Sequence, residues 1–139
     1  MRNRQRGFTL IEIMVVVVIL SVLGALVVPQ IIDKVDVAKV KRAQSDIRAV
    51  QTALDLYRLD NFKYPTTEQG LQALVKQPVD PTITNYNPNG YLKSLPKDPW
   101  GNEYKYSAPG THGTAYDIIS LGADGREGGE GPNKDITSW

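Results

Sequence analysis

The chain has 139 residues, a formal net charge of +1 and no cysteine. That length leaves room for a single small domain beside one membrane-length segment. The near-neutral charge gives no reason to expect a nucleic-acid partner, and the missing thiols exclude any disulfide from the fold.

The chain begins with Arg2, Arg4 and Arg6, reaches Gly7, and then runs apolar from Phe8 to Val28 with Glu12 as its single charge. Roughly 20 apolar residues cross the ~30 Å hydrocarbon core of a bilayer, so this stretch is just long enough. A carboxylate within such a helix costs about 2.5–3.5 kcal/mol on insertion scales unless it lies near an end or meets a partner. Three readings compete. The first is a secretory signal, for which Gly24-Ala25-Leu26 is a poor cleavage site. The second is a plain signal anchor with Glu12 reaching the membrane surface. The third gives Glu12 a partner cation at its own depth, which a free amino terminus on Phe8 would supply.

Gly7-Phe8-Thr9-Leu10-Ile11-Glu12, behind a short basic leader and ahead of an apolar helix, resembles the type IV pilin and pseudopilin class of prepilins. The resemblance implies cleavage after Gly7 by a prepilin peptidase, N-methylation of Phe8 and a role for Glu12 in assembly. The amine of one subunit would then lie beside the Glu12 carboxylate of a neighbour, so that neither charge is buried alone. Basic residues beside a membrane segment favour the cytoplasmic side, which places the leader, residues 1–7, inside and the bulk of the chain in the periplasm. Many type IV pilins close their C-terminal region with a disulfide, so the absence of cysteine tilts the resemblance toward pseudopilins.

Gly24 and Pro29 end the apolar run. Proline inside a helix removes a hydrogen bond and clashes with the preceding turn, at about 3 kcal/mol or more. Pro29 therefore marks either the exit from the membrane or a hinge, and the resemblance favours the hinge. From Asp33 the pattern turns amphipathic: Val40, Ala43, Ile47, Val50, Leu54 and Tyr57 share one stripe at helical spacing. The spacing predicts one helix from about Phe8 to Asp60. Its 8–32 half is membrane or fibre core, its 33–60 half lies on a sheet, and 61–139 forms the head.

Thr66 with Gln69 fits a capping box opening a short helix with Leu71, Leu74 and Val75 on its apolar face. Gly70 weakens that helix by about 1 kcal/mol relative to alanine, which suggests close packing on a neighbour. Pro78, Pro81, Pro88, Pro96 and Pro99 then punctuate a long irregular region, anchored by Leu92, Leu95 and Trp100. Two period-two runs, Glu103–Ser107 and Ala115–Ser120, predict half-buried strands joined by a hairpin loop. That loop holds His112, expected to be exposed, with no cysteine or acid beside it in the loop. The fold class expected is α+β, a long N-terminal helix packed through its second half on a small antiparallel sheet.

The run from Tyr64-Pro65-Thr66-Thr67-Glu68-Gln69-Gly70-Leu71 through Leu95-Pro96-Lys97-Asp98-Pro99-Trp100-Gly101-Asn102 to Leu121-Gly122-Ala123-Asp124-Gly125 is similar to the major pseudopilin family of type II secretion systems. The C-terminal stretch gathers Asp124, Glu127, Glu130 and Asp135 with Asn133 among glycines. By composition it is a mobile, solvated loop, and its spacing is not that of an EF-hand. Ile136 and Trp139 nevertheless draw the chain back to the body. Calcium suits such a loop, because it takes about 6 to 8 oxygen ligands in flexible geometry and glycine lets carbonyls turn inward. The resemblance implies calcium here. Carried over, its ligands are the Leu121 carbonyl, the carboxylates of Asp124 and Asp135, and a carbonyl within Gly129 to Asn133, with Glu127 and Glu130 as possible substitutes.

The function implied is that of a structural subunit, anchored in the inner membrane before assembly and then stacked with other copies into a periplasmic helical fibre that drives folded proteins toward an outer-membrane channel. Minor pseudopilins, an inner-membrane secretion platform and a cytoplasmic ATPase are the implied partners, since the chain carries no phosphate-cradling GxxxxGK[ST] motif of its own. A type IV pilin or minor pseudopilin is the alternative within the class. A membrane-anchored periplasmic enzyme is the alternative outside it, but Ser45, Ser94, Ser107 and Ser120 each lack a histidine nearby in sequence.

Overall fold

The structure, a computed structural model, describes residues 7–139, with side chains left undescribed for 28–33. The basic leader with Arg2, Arg4 and Arg6 lies outside the described residues. One helix, α1, spans Leu10–Asn61. It starts two residues later than expected and continues through Pro29, whose fixed φ is itself helical. The chain divides into two compact units, one ending at Val35 and the other running Asp36–Trp139.

In the first unit, Leu10–Val27 has a mean hydropathy of 2.9 and none of its residues is buried. A helix apolar on every face is ordinarily covered by lipid or by other protein. The one hydroxyl near its middle, Ser21, donates back to the Val17 carbonyl at 2.7 Å, so no polar side chain there is left bare.

In the second unit the expected stripe forms the core. Ala43, Ile47, Val50, Leu54 and Tyr57 are buried, joined by Ala53, while Val40 packs at the edge. They meet Leu71, Ala73, Leu74, Ile83, Tyr104, Ile118 and Ile136. Tyr57, Tyr86 and Tyr91 form an edge-to-face cluster with ring centroids 5.3–6.3 Å apart. Burial, chiefly, pushes the Tyr57 phenol up to about 12. α1 ends with the Phe62 N–H bonded to the Arg58 carbonyl at 2.7 Å. Phe62 has φ 60°, the left-handed position that glycine usually takes after a helix.

The capping box forms reciprocally. The Gln69 N–H donates to Thr66 Oγ1 at 3.2 Å, and the Thr66 N–H donates to Gln69 Oε1 at 3.0 Å. It leads into a single 3₁₀ turn, Leu71–Leu74, rather than an α-helix. The cause is Gly70, whose φ of 60° and ψ of −169° break helical geometry. Close packing is not its role, since a Cβ there would meet only the Thr67 carbonyl oxygen, at 3.8 Å.

The two expected strands appear, shortened, as β1 (Lys105–Ser107) and β2 (Asp117–Ser120), antiparallel with Tyr106 opposite Ile118. A third strand, β3 (Ile136–Thr137), pairs with β2, so the sheet order is β1-β2-β3. Periodicity had no purchase on two residues at the end of a glycine-rich stretch. Leu92, Leu95 and Trp100 pack partly buried against the core, as expected.

Candidate assembly and cation-binding sites

The first candidate site lies at the start of α1. Thr9 is its cap: the Glu12 N–H reaches both Thr9 Oγ1, at 3.3 Å, and the Thr9 carbonyl, at 3.1 Å. Glu12 therefore sits in the first helical turn, where the aligned peptide dipoles favour a negative charge. Gly7 and Phe8 precede the helix, and Phe8 is 81% exposed. Thr9 was missed in reading the sequence, although Thr-x-x-Glu ahead of an apolar run is a capping signature.

The second candidate site is the C-terminal loop. Leu121 and Gly122 leave β2 and run beside the turn formed by the 3₁₀ segment Gly131–Asn133. The Ala123 N–H donates to the Pro132 carbonyl at 3.0 Å, which ties the two stretches together. Two glycines permit the approach. A Cβ on Gly122 (φ +66°) would lie 2.8 Å from the Asn133 carbonyl carbon and oxygen, and one on Gly129 (φ +93°) 2.6 Å from that oxygen. Asp135 accepts the Gly128 N–H on Oδ2 at 2.9 Å, while its Oδ1 is buried with no hydrogen-bond partner. Asp124 is exposed and accepts the Arg126 N–H at 3.2 Å; Glu127 and Glu130 are exposed.

The fold thus brings Gly122 and Ala123 alongside residues 132–134, and Gly128 beside Asp135. Among the described residues no group of three or more acidic, histidine or cysteine side chains is gathered to hold a metal. A cation here would draw much of its coordination from backbone carbonyls, as calcium can and as transition metals rarely do.

Beneath this loop lies Asp98, 4% exposed, which sequence reading did not single out. Its Oδ1 accepts the N–H groups of Trp100 and Asn102 at 3.1 and 2.8 Å, and its Oδ2 accepts the Ser120 hydroxyl at 2.8 Å. No local pattern signals a bond between residues 22 apart in sequence.

His112 is exposed as expected, with 47% of its side chain accessible, and it meets an acid from outside its loop. Asp117, five residues on in β2, folds in to place Oδ2 2.9 Å from His112 Nδ1, and the imidazole stacks on Trp139 at 3.8 Å between centroids. Hydrogen bonds from the Thr114 hydroxyl above all, then from His112 and from the Thr111 N–H and hydroxyl, hold the Asp117 carboxyl well below the usual range despite its burial. Thr111 Oγ1 approaches the same Nδ1, at 3.2 Å. The ring is therefore not set between an orienting acid and a nucleophile on its two nitrogens, as a hydrolytic relay requires.

Two family models match this chain. Residues 30–139 fit type II secretion system protein G, and residues 2–28 fit the prokaryotic N-terminal methylation motif. A type II secretion system core protein G of Pseudomonas aeruginosa is 60% identical over 139 residues, covering 99% of this chain and 97% of its own. One of Vibrio cholerae is 54% identical over 137 residues, covering 99% and 93%. Among solved structures, the major pseudopilin of the type 2 secretion system of enterohaemorrhagic Escherichia coli superposes with a TM-score of 0.69 at 45% identity, over 81% of this chain and 96% of that one.

Proposed function

The chain belongs to the type II secretion system protein G family, the major pseudopilins, and is a pseudopilus subunit; from that premise we propose that it polymerises through its N-terminal helix into a periplasmic fibre that drives folded proteins outward. A prepilin peptidase cuts after Gly7, Phe8 becomes the N-methylated first residue, and its amine meets the Glu12 carboxylate of an adjacent copy. Before assembly the helix anchors the chain in the inner membrane with the head in the periplasm. Minor pseudopilins and an inner-membrane platform complete the machine.

One observation carries this reading: Glu12 is the sole charge in Leu10–Val27, a stretch of α1 exposed on every face. Lipid accepts such a charge only where it can reach the membrane surface, and the packed core of a fibre only where it meets a partner. The test is Glu12→Ala. Fibres should be lost while the head keeps its melting temperature, and normal fibres from this variant would overturn the proposal.

The C-terminal loop is read as a calcium site. Leu121 and a residue within Gly129 to Asn133 would offer carbonyls, and Asp124 and Asp135 carboxylates. The support is the buried, partnerless Oδ1 of Asp135, an acceptor that a small core can leave bare only at a cost of about 1–3 kcal/mol. Calcium, when bound, would supply positive charge joining the two stretches of loop. The role is structural and not catalytic: Ser120 is fully buried and spends its hydroxyl proton on Asp98, and His112 has both oxygen partners on one nitrogen.

A further inference from the structure

We infer that Asp98 and Ser120 are positioning residues for the C-terminal calcium loop, acting through Gly122 to set the distance between its two ligand-bearing stretches. The inference rests on the calcium reading above and deepens it.

Asp98 is 4% exposed and Ser120 is not exposed at all. A buried carboxylate needs hydrogen bonds to offset its lost hydration, and Asp98 has three donors. Two, the Trp100 and Asn102 N–H groups, come from its own tight turn, which the Asp98 N–H closes on the Asn102 carbonyl at 2.9 Å. That turn needs only Oδ1. The second oxygen reaches out of the turn to Ser120, the last residue of β2.

Ser120 is where strand becomes loop. Its oxygen also faces the Gly122 N–H at 3.4 Å, so the hydroxyl stands between Asp98 and the residue that abuts the far side of the loop. Gly122 has no side chain to adjust: its backbone lies directly on Asn133, and a Cβ there would come within 3.0 Å of the Lys134 oxygen as well. A displacement of residues 120–122 is therefore transmitted to Asn133 without a flexible link. The Leu121 carbonyl lies between the two anchored residues, and Asn133 bounds the second ligand stretch. Asp98 itself belongs to an element remote in sequence, so it ties the loop to the body and not merely to its own strand.

Groups that orient ligands without touching the metal typically change affinity about 10- to 100-fold when removed. Calcium binding to the full chain in detergent micelles, measured by calorimetric titration and by melting with and without the ion, tests this. Ser120→Ala removes only the hydroxyl. It should raise the calcium Kd about tenfold and shrink the calcium-induced rise in melting temperature. Val50→Ala, which loosens the buried face of α1 and removes no group of this bond, should lower melting equally with and without calcium and leave the Kd unchanged. An unaltered Kd in Ser120→Ala, alongside a lowered melting temperature, would reduce the Asp98–Ser120 bond to a sheet contact and overturn the inference. Failure of the calcium reading itself has a separate signature: the wild-type chain would bind no calcium and would melt identically with and without it.

Discussion

Gly122→Ala compared with Gly125→Ala separates the strain of a left-handed backbone from the packing that joins the two halves of the C-terminal loop. Both glycines have φ +66°. An L side chain in that conformation costs roughly 1–2 kcal/mol wherever it occurs. At Gly125 nothing lies within 4 Å of a new Cβ, so that strain is the whole effect. At Gly122 the Cβ would sit 2.8 Å from the Asn133 carbonyl, which is backbone and cannot swing aside. Overpacking of this kind adds about 1–3 kcal/mol, so the total is about 2–5 kcal/mol. At roughly 5 °C per kcal/mol for a domain of about this size, Gly125→Ala should lower the melting temperature by on the order of 5–10 °C. Gly122→Ala should lower it by on the order of 10–25 °C. Both are measured by calorimetric melts of the full chain in detergent with calcium chelated, so that ligand binding does not enter. Equal losses in the two variants would refute the claim that Asn133 and Gly122 are packed in register.

Chelation of the wild-type chain should lower its melting temperature relative to saturating calcium, since an ion at 100 times its Kd adds about 2.7 kcal/mol; identical melts would count against the site. The Asp117 carboxyl titrates below its unfolded value, so its contribution is complete above about pH 4 and lost as pH falls through the folded value. Asp117→Asn should accordingly flatten the fall in stability between about pH 4 and pH 2, read from melts across that range, although Asp80, depressed by Thr82 and Lys63, keeps part of the slope. Phe62→Gly relieves a left-handed, 84% exposed residue and should leave stability unchanged or raise it by up to about 1 kcal/mol; a clear loss in urea titration would mean that the ring packs in a way its exposure does not suggest.

The parts of the fold legible in the sequence were those written in a repeating pattern. The stripe from Ala43 to Tyr57 keeps helical spacing and is the buried face of α1. The alternation around Tyr106 and Ile118 keeps strand spacing and is the β1–β2 pair. Thr66 and Gln69 are close enough in sequence to read as reciprocal partners, and they are. The features that escaped depend on residues brought together only by the fold. β3 is too short for any period. The turn at Gly70 becomes 3₁₀ because of a dihedral choice that composition does not announce. The Asp98–Ser120 bond and the Asp117–His112 contact join side chains whose identities are unremarkable alone. In the candidate sites, Glu12 stood out because one charge in an apolar run is conspicuous. The loop ligands were harder, because carbonyls carry no residue identity and only Asp135, with its partnerless oxygen, is distinguished by its surroundings.

The central claim is that Glu12 is tolerated among apolar side chains because a neighbouring copy's amine meets it. A reconstruction of the assembled fibre, at a resolution that places side chains, measures this directly. The account predicts a chain beginning at Phe8 with its nitrogen within about 4 Å of the Glu12 carboxylate of an adjacent subunit. A fibre in which Glu12 faces only apolar groups, or in which residues before Phe8 remain attached, would contradict it.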